Sequence, residues 1–249
     1  MKAKRFLALL AIVAVVHLIA APEAKAQFSV EKDSADFVHL YEANAMPDVE
    51  DTGSSWAYIN NTSPHRDFTA ANGLLSFSSM GAAGGMLINP SAFAAQVTTG
   101  TSFTLEYAAQ VTGASSDTST LGGLMLFLNN GAVKCDVTIS TNSIAANGAL
   151  VASSLDNTTM HSYRIAFDST VNKYALWRDG SLISDTIATS SAGARLYLGD
   201  GSGAQAGAAD IDYFRWDMTG AYAPVPEPTT LGLLATGGLM CLRRRRKNA

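Results

Sequence analysis

The chain has 249 residues, 47% of them hydrophobic and 15% charged, and a formal net charge of −4. Nine of the 17 basic residues sit at the two ends (Lys2, Lys4, Arg5, Lys25 and positions 243–247), so residues 27–222 hold eight basic against nineteen acidic residues, a net of about −11 that repels nucleic acid and anionic membrane. Cys241 lies in the tail and Cys135 stands alone before it, which excludes a disulfide framework.

The N-terminus reads as an export signal. Lys2, Lys4 and Arg5 precede an apolar run over residues 6–21, broken only by His17, and Ala24-Lys25-Ala26 is a small-x-small cleavage site. The pattern predicts a signal helix over residues 1–26, handling by the secretion machinery, and cleavage between Ala26 and Gln27. An uncleaved membrane anchor is the alternative. The next string, Glu31-Lys32-Asp33-Ser34-Ala35-Asp36, has no apolar alternation around it and reads as a solvated charge run.

Residues 27–222 suit one domain, long enough to bury a core without a disulfide or a metal. Trp56 and Tyr58 stand two apart, on one face of a short strand, and are candidate ligand contacts. Further along, Phe103, Leu105 and Tyr107 alternate with Thr104 and Glu106, and Tyr163, Ile165 and Phe167 with Arg164 and Asp168. Tyr174 and Leu176 oppose Ala175 and Trp177, and Ile211 and Tyr213 oppose Asp210 and Asp212. This is the period of half-buried strands. Residues 121–128, apolar on both faces apart from Gly122 and Gly123, predict a central strand. Val133, Cys135 and Val137 share a strand face, which makes Cys135 a small buried residue. Asn72-Gly73, Asn130-Gly131, Asn147-Gly148 and Asp179-Gly180 are turn dipeptides, the last between two strand patterns. Ten to twelve strands result. The expected fold is all-β: two antiparallel sheets packed face to face, a jelly roll.

Candidate chemistry is sparse. Asp210 and Asp212 are expected on one strand face, with Asp217 on the other, so the first two could present paired carboxylates to a ligand. Asp200 opens a Gly-rich loop with free carbonyls and is the candidate for structural calcium, which takes six to eight oxygens. His39, His65 and His161 lie near no Gly-x-Ser-x-Gly turn, and neither zinc spacing nor a phosphate loop is present. No catalytic residue is assigned. Asn60, Asn61 and Asn157 match Asn-x-Ser/Thr and are read as loop positions.

The tail, residues 223–249, has three parts: Pro226-Glu227-Pro228, an uncharged segment over residues 229–242, and Arg243-Arg244-Arg245-Arg246-Lys247. A helix over that segment would span about 21 Å, short of the about 30 Å of a hydrocarbon core. It is a short transmembrane-like helix suited to pausing in a membrane, with the basic stop on the cytoplasmic side. These three parts, in this order, resemble the PEP-CTERM sorting tail of Gram-negative bacteria. The resemblance implies an exosortase, an integral-membrane sorting enzyme, as partner, with cleavage near the triplet. It also implies transient membrane anchoring, then a place at the cell surface or among exopolysaccharide and biofilm.

A second resemblance covers about residues 100–217. The string His161-Ser162-Tyr163-Arg164-Ile165-Ala166-Phe167-Asp168, followed by Lys173-Tyr174-Ala175-Leu176-Trp177-Arg178-Asp179-Gly180, is similar to a strand pair of laminin-G and concanavalin A-like domains. Leu198-Gly199-Asp200 and Ala209-Asp210-Ile211-Asp212-Tyr213-Phe214-Arg215-Trp216 resemble their last strands. It implies a fold with a sugar- or calcium-binding habit. Laminarinase-type hydrolases of that fold carry Glu-x-Asp-x-x-Glu on a strand; the nearest string here, Glu31 to Asp36, ends in Asp. The expectation is therefore a non-enzymatic, surface-sorted sandwich that binds an extracellular glycan. A polysaccharide-cleaving enzyme or a purely structural surface protein are the alternatives.

Protein recovered from cells is expected to begin at Gln27 and to lack residues 243–247. Intact-mass measurement of the released form checks both ends, and a released form that keeps the Arg run would remove the sorting reading of the tail.

Overall fold

Three of the predicted turns bend as their residues require. Asn72-Gly73 (φ 55° and 74°), Asn147-Gly148 (52° and 80°) and Asp179-Gly180 (49° and 72°) all have positive φ at both positions, the two-residue hairpin turn whose twist matches the flanking strands. The structure, a computed structural model, describes residues 28–54, 56–60, 68–80, 86–90, 101–114, 122–130, 133–187, 194–200 and 206–226. The fourth turn, at Asn130-Gly131, has its glycine outside the described residues, as do the expected signal helix and tail helix. Among the described residues no helix is long and apolar enough to cross a membrane.

The strands are β1 (His39–Tyr41), β2 (Trp56–Asn60), β3 (Phe68–Ala71), β4 (Leu74–Ser78), β5 (Met86–Pro90), β6 (Phe103–Ala114), β7 (Leu124–Asn130), β8 (Lys134–Ile139), β9 (Ser143–Ala146), β10 (Ala149–Ser153), β11 (His161–Asp168), β12 (Lys173–Arg178), β13 (Ser181–Ile187), β14 (Ala194–Asp200) and β15 (Gly207–Asp217). One short helix, α1 (Pro47–Glu50), and 3-10 turns at Ser34–Asp36 and Thr52–Ser54 interrupt the early chain. The first sheet runs β13-β12-β11-β6-β15-β4-β3, with β1 also on β15; the second runs β10-β9-β8-β7-β14-β5-β2. This is the expected two-sheet antiparallel jelly-roll sandwich. It has more strands than the ten to twelve predicted.

The core lies between the sheets. From the first come Phe103, Leu105, Tyr107, Tyr163, Ile165, Phe167, Tyr174 and Leu176, and from the second Leu124, Leu126, Leu128, Cys135, Val137, Leu196 and Leu198, all buried. The predicted central strand is β7, flanked by β8 and β14, and Met125 is buried on its other face. Cys135 is fully buried and forms no disulfide.

Strand β15 departs from strict alternation. Ile211 pairs with Ala109 and Tyr213 with Ala108, so Asp212 is an extra, bulged residue. One inserted residue flips every side chain beyond it. Ile211, Phe214 and Trp216 therefore face the core, while Tyr213 joins Asp210 on the outer face.

The sheets approach closely where β7 and β15 begin. A Cβ on Gly207 would lie 2.2 Å from the Gly123 carbonyl oxygen, and one on Gly123 (φ 113°) 2.1 Å from that of Ile139. Gly207→Ala must push these backbones apart. It should lower stability by about 1–3 kcal/mol, read as a lower midpoint in urea unfolding. An unchanged midpoint would show that the approach is looser than described.

Candidate functional site

The outward residues of the central strands of the first sheet should face water, yet several are buried: Thr104 and Glu106 on β6, Arg164 and Ala166 on β11, Ala175 and Trp177 on β12, Asp217 on β15. The cover is a strap made from both ends of the described chain. Residues 28–32 run parallel to residues 220–225, with Glu31 bridged to Ala223. The Ala223 N–H donates to the Val30 carbonyl at 2.8 Å, and the Lys32 N–H to the Ala223 carbonyl at 3.1 Å. Small Ala166 and Ala175 leave room for Phe28, whose ring meets Trp177 edge to face at 5.5 Å, and Ala221 and Ala223 pack beside them.

Arg164 holds the strap from below. Its Nε donates to Glu106 Oε2 at 2.7 Å, and its Nη1 donates to the carbonyls of Lys32 and Ala223, each at 2.7 Å. The Tyr213 hydroxyl donates to Glu106 Oε1 at 2.8 Å. Burial, then the neighbouring Glu106 carboxylate, push the Tyr213 hydroxyl up, so it stays protonated as a donor. The Thr104 hydroxyl donates to the Gly220 carbonyl at 2.9 Å and accepts the Tyr222 N–H at 2.7 Å. Lys32 Nζ donates to the buried Asp217 carboxylate and lies 5.0 Å from the Tyr222 ring centre. Burial works against the charged form of Asp217, but the bonds from Lys32 and from the Thr219 hydroxyl and N–H outweigh it and hold the group below the usual carboxylate range. The Asp217 bond raises Lys32, partly offset by burial.

A pocket of about 290 Å³ opens beside the strap. It is lined by Asp33, Ser34, Glu106, Ser162, Arg164, Trp177, Asp179, Gly180, Tyr213, Pro224 and Val225. Its acids are engaged. Asp33 Oδ1 accepts the Ala35 N–H at 2.9 Å and caps the Ser34–Asp36 turn. Asp179 accepts the Ser162 N–H at 3.0 Å and lies 2.7 Å from His161 Nδ1. The lining brings hydroxyls, carboxylates, one guanidinium and an indole to one opening.

The residues singled out from sequence fall elsewhere. Trp56 belongs to the core rather than to a ligand surface: its ring packs against Tyr41, Phe214 and Trp216, and its Nε1 donates to Asp51 Oδ2 at 3.1 Å. Tyr58 pairs with Ile88 across β2 and β5, and its side chain lies outside the described residues. Asp210 and Asp212 do not form the expected pair, because of the β15 bulge. Asp210 accepts from Ser76 Oγ at 2.6 Å and Gln110 Nε2 at 2.8 Å, whereas Asp212 is exposed. Asp217 shares the outer face with Asp210. Trp216 is fully buried and stacks on His39 at 4.8 Å.

Asp200 is buried and accepts from Ser79 Oγ, which also accepts the Gly207 N–H at 2.8 Å; residues 201–205 lie outside the described set. Among the described residues no three of His, Cys, Asp or Glu are grouped to hold a metal. Burial pushes the Cys135 thiol up, away from a reactive thiolate. Glu31 and Asp33 sit in the strap and a 3-10 turn, not on one strand face. Asn157 is a buried tie, donating to the carbonyls of Ser140 at 2.8 Å and Ser143 at 3.2 Å and accepting the Tyr163 hydroxyl at 3.0 Å. Pro226 is the last described residue; Glu227, Pro228, Arg243, Arg244, Arg245 and Arg246 lie beyond it, and Ala26, Gln27 and His65 are also outside. Sequence reasoning missed Phe28, Lys32, Glu106 and Arg164 as one unit. Its trace was an Arg and a Glu at outward positions of apolar strands, facing each other in register.

The PEP-CTERM protein-sorting motif matches residues 224–247, so the chain carries this sorting tail, and the match begins inside the strap. No curated protein matches the chain. Solved structures of similar shape include a carbohydrate esterase from Shiga toxin-encoding bacteriophage phi24B, 12% identical over 71% of this chain and 95% of that one, with a TM-score of 0.49. A prokaryotic β-1,3-1,4-glucanase (lichenase) derived from a mouse hindgut metagenome is 11% identical over 72% of this chain and 98% of that one, with a TM-score of 0.46. Neither carries a function across to this chain.

The Lys32–Asp217 pair sets a pH window for the strap. A depressed carboxylate contributes stability above its unfolded value of about 3.9, and loses it as pH falls through the lower folded value. Stability should therefore fall on acidification below about pH 4, and Asp217→Asn should flatten that limb. Urea unfolding at stepped pH reads both, and an unchanged acid limb in Asp217→Asn would show that other carboxylates set it.

Proposed function

We propose that this chain, exported and sorted by its PEP-CTERM tail, serves at the cell surface or in the extracellular polysaccharide as a non-enzymatic β-sandwich that holds a glycan. In this reading residues 1–26 are removed on export by the secretion machinery of a Gram-negative-type cell. Residues 27–222 form the sandwich, and residues 223–249 are the sorting tail read by an exosortase. The observation that carries the reading is the motif match over residues 224–247. The tail is an address rather than a permanent anchor, as in other removable C-terminal signals.

The charge balance supports a neutral ligand over an anionic one, since residues 27–222 hold eight basic against nineteen acidic groups. The bonding of Glu106 supports a holding role rather than a hydrolytic one. Glycoside hydrolysis uses one carboxylic acid with a raised pKa and a second, free carboxylate. Glu106 instead accepts from Arg164 and Tyr213, so both of its oxygens are occupied.

Two measurements test the reading. In cell and medium immunoblots, Glu227→Gln should leave the unprocessed chain with the cells while the wild type is processed. Purified residues 27–226 should be retained by neutral exopolysaccharide and release no reducing ends from it. Release of reducing ends that is lost in Glu106→Gln would replace the holding role with a cleaving one.

A further inference from the structure

The segment that leads into the sorting motif is not a free linker. The Tyr222 N–H is held by Thr104 Oγ1 at 2.7 Å and the Ala223 N–H by the Val30 carbonyl at 2.8 Å. The Ala223 carbonyl accepts from the Lys32 N–H and from Arg164 Nη1. Ala221 and Ala223 pack on the cluster of Phe28, Ala166, Ala175 and Trp177. The matched motif begins at residue 224, one residue past these bonds. Val225 is 47% exposed.

An enzyme that cuts near a short motif commonly takes its substrate as an extended strand, through the backbone N–H and C=O groups on either side of the cut. On the N-terminal side of this motif those groups are already engaged by the opposite end of the chain. We infer that residues 28–32 form an autoinhibitory clasp on the sorting segment: while they lie beside Ala223, the residues leading into the motif are withheld from the sorting enzyme, and processing passes through the opened clasp. This rests on the sorting function proposed above.

The clasp has a defined weak point and a defined lock. Phe28 is the apolar plug of the N-terminal strand against Trp177, and it lies far in sequence from the site of cutting. Removing its ring frees the strap but leaves the sheet's inner core untouched. The Glu31–Ala223 bridge brings the two strands together at one pair of residues, where a cross-link would hold the clasp shut.

The test uses the full chain. Phe28→Ala should speed conversion of precursor to tail-less form in a pulse-chase. In the purified full chain it should raise protease cutting within residues 220–226 by about tenfold, since such cutting follows the population of the open form. Phe28→Leu should restore both toward wild type. The double variant Glu31→Cys with Ala223→Cys should stop tail processing when oxidised and recover it when reduced. Processing that is unchanged or slower in Phe28→Ala, or that continues in the oxidised double variant, overturns the clasp. If the wild-type tail is never cut, the sorting function fails and the clasp's role goes with it. If the tail is cut but protease sensitivity at residues 220–226 is already high in wild type, only the clasp fails.

Discussion

A buried arginine must be neutralised and its N–H groups given acceptors, and on the outer face of the first sheet that constraint is met only by both ends of the domain at once. Arg164 is 3% exposed. Glu106, opposite it on the neighbouring strand, supplies the compensating charge. The backbone carbonyls of Lys32 and Ala223 supply the remaining acceptors, and neither belongs to the sheet. Stripping one partner from a buried pair typically costs about 3–5 kcal/mol, because the other charge stays buried and unpaired. The strap thus supplies acceptors that the sheet beneath it does not.

The rest of the first sheet is arranged around the same strands. β6 and β15 are the longest and lie side by side. β15 also offers its far edge to β4 and then to β1, so the early chain is zipped onto the late chain. The bulge at Asp212 turns Tyr213 outward, where its hydroxyl donates to Glu106 Oε1. Were Asp212 paired in a regular ladder instead of bulged, Tyr213 would face the core and Phe214 and Trp216 would face water. One inserted residue therefore decides both the aromatic core and the polar network above it.

For function, the consequence is geometric. The matched sorting motif starts at residue 224, one residue past the backbone bonds of Ala223. The strap crosses position 222, where the sequence places the end of the domain. The pocket beside it is bounded partly by Pro224 and Val225, so the pocket and the matched sorting motif share residues.

Sequence alone determined the sorting tail and the class of fold. Both are written in local order: triplet, apolar run and arginines in the tail, and before them period-two alternation broken by Asn-Gly and Asp-Gly turns. The inner core followed directly, because Leu105, Tyr107, Ile165 and Phe167 alternate without interruption. The site did not follow, for two physical reasons. A bulge is invisible to a period count, so Asp210 and Asp212 read as a pair and Tyr213 as a core residue. Burial of an outward face depends on what lies over it, and the cover comes from residues 28–32 and 220–225, about 190 positions apart in the chain. Glu106 and Arg164 carry the charge of surface residues and Trp56 the look of a ligand platform. Only the tertiary structure closed the first two under the strap and packed the third between the sheets.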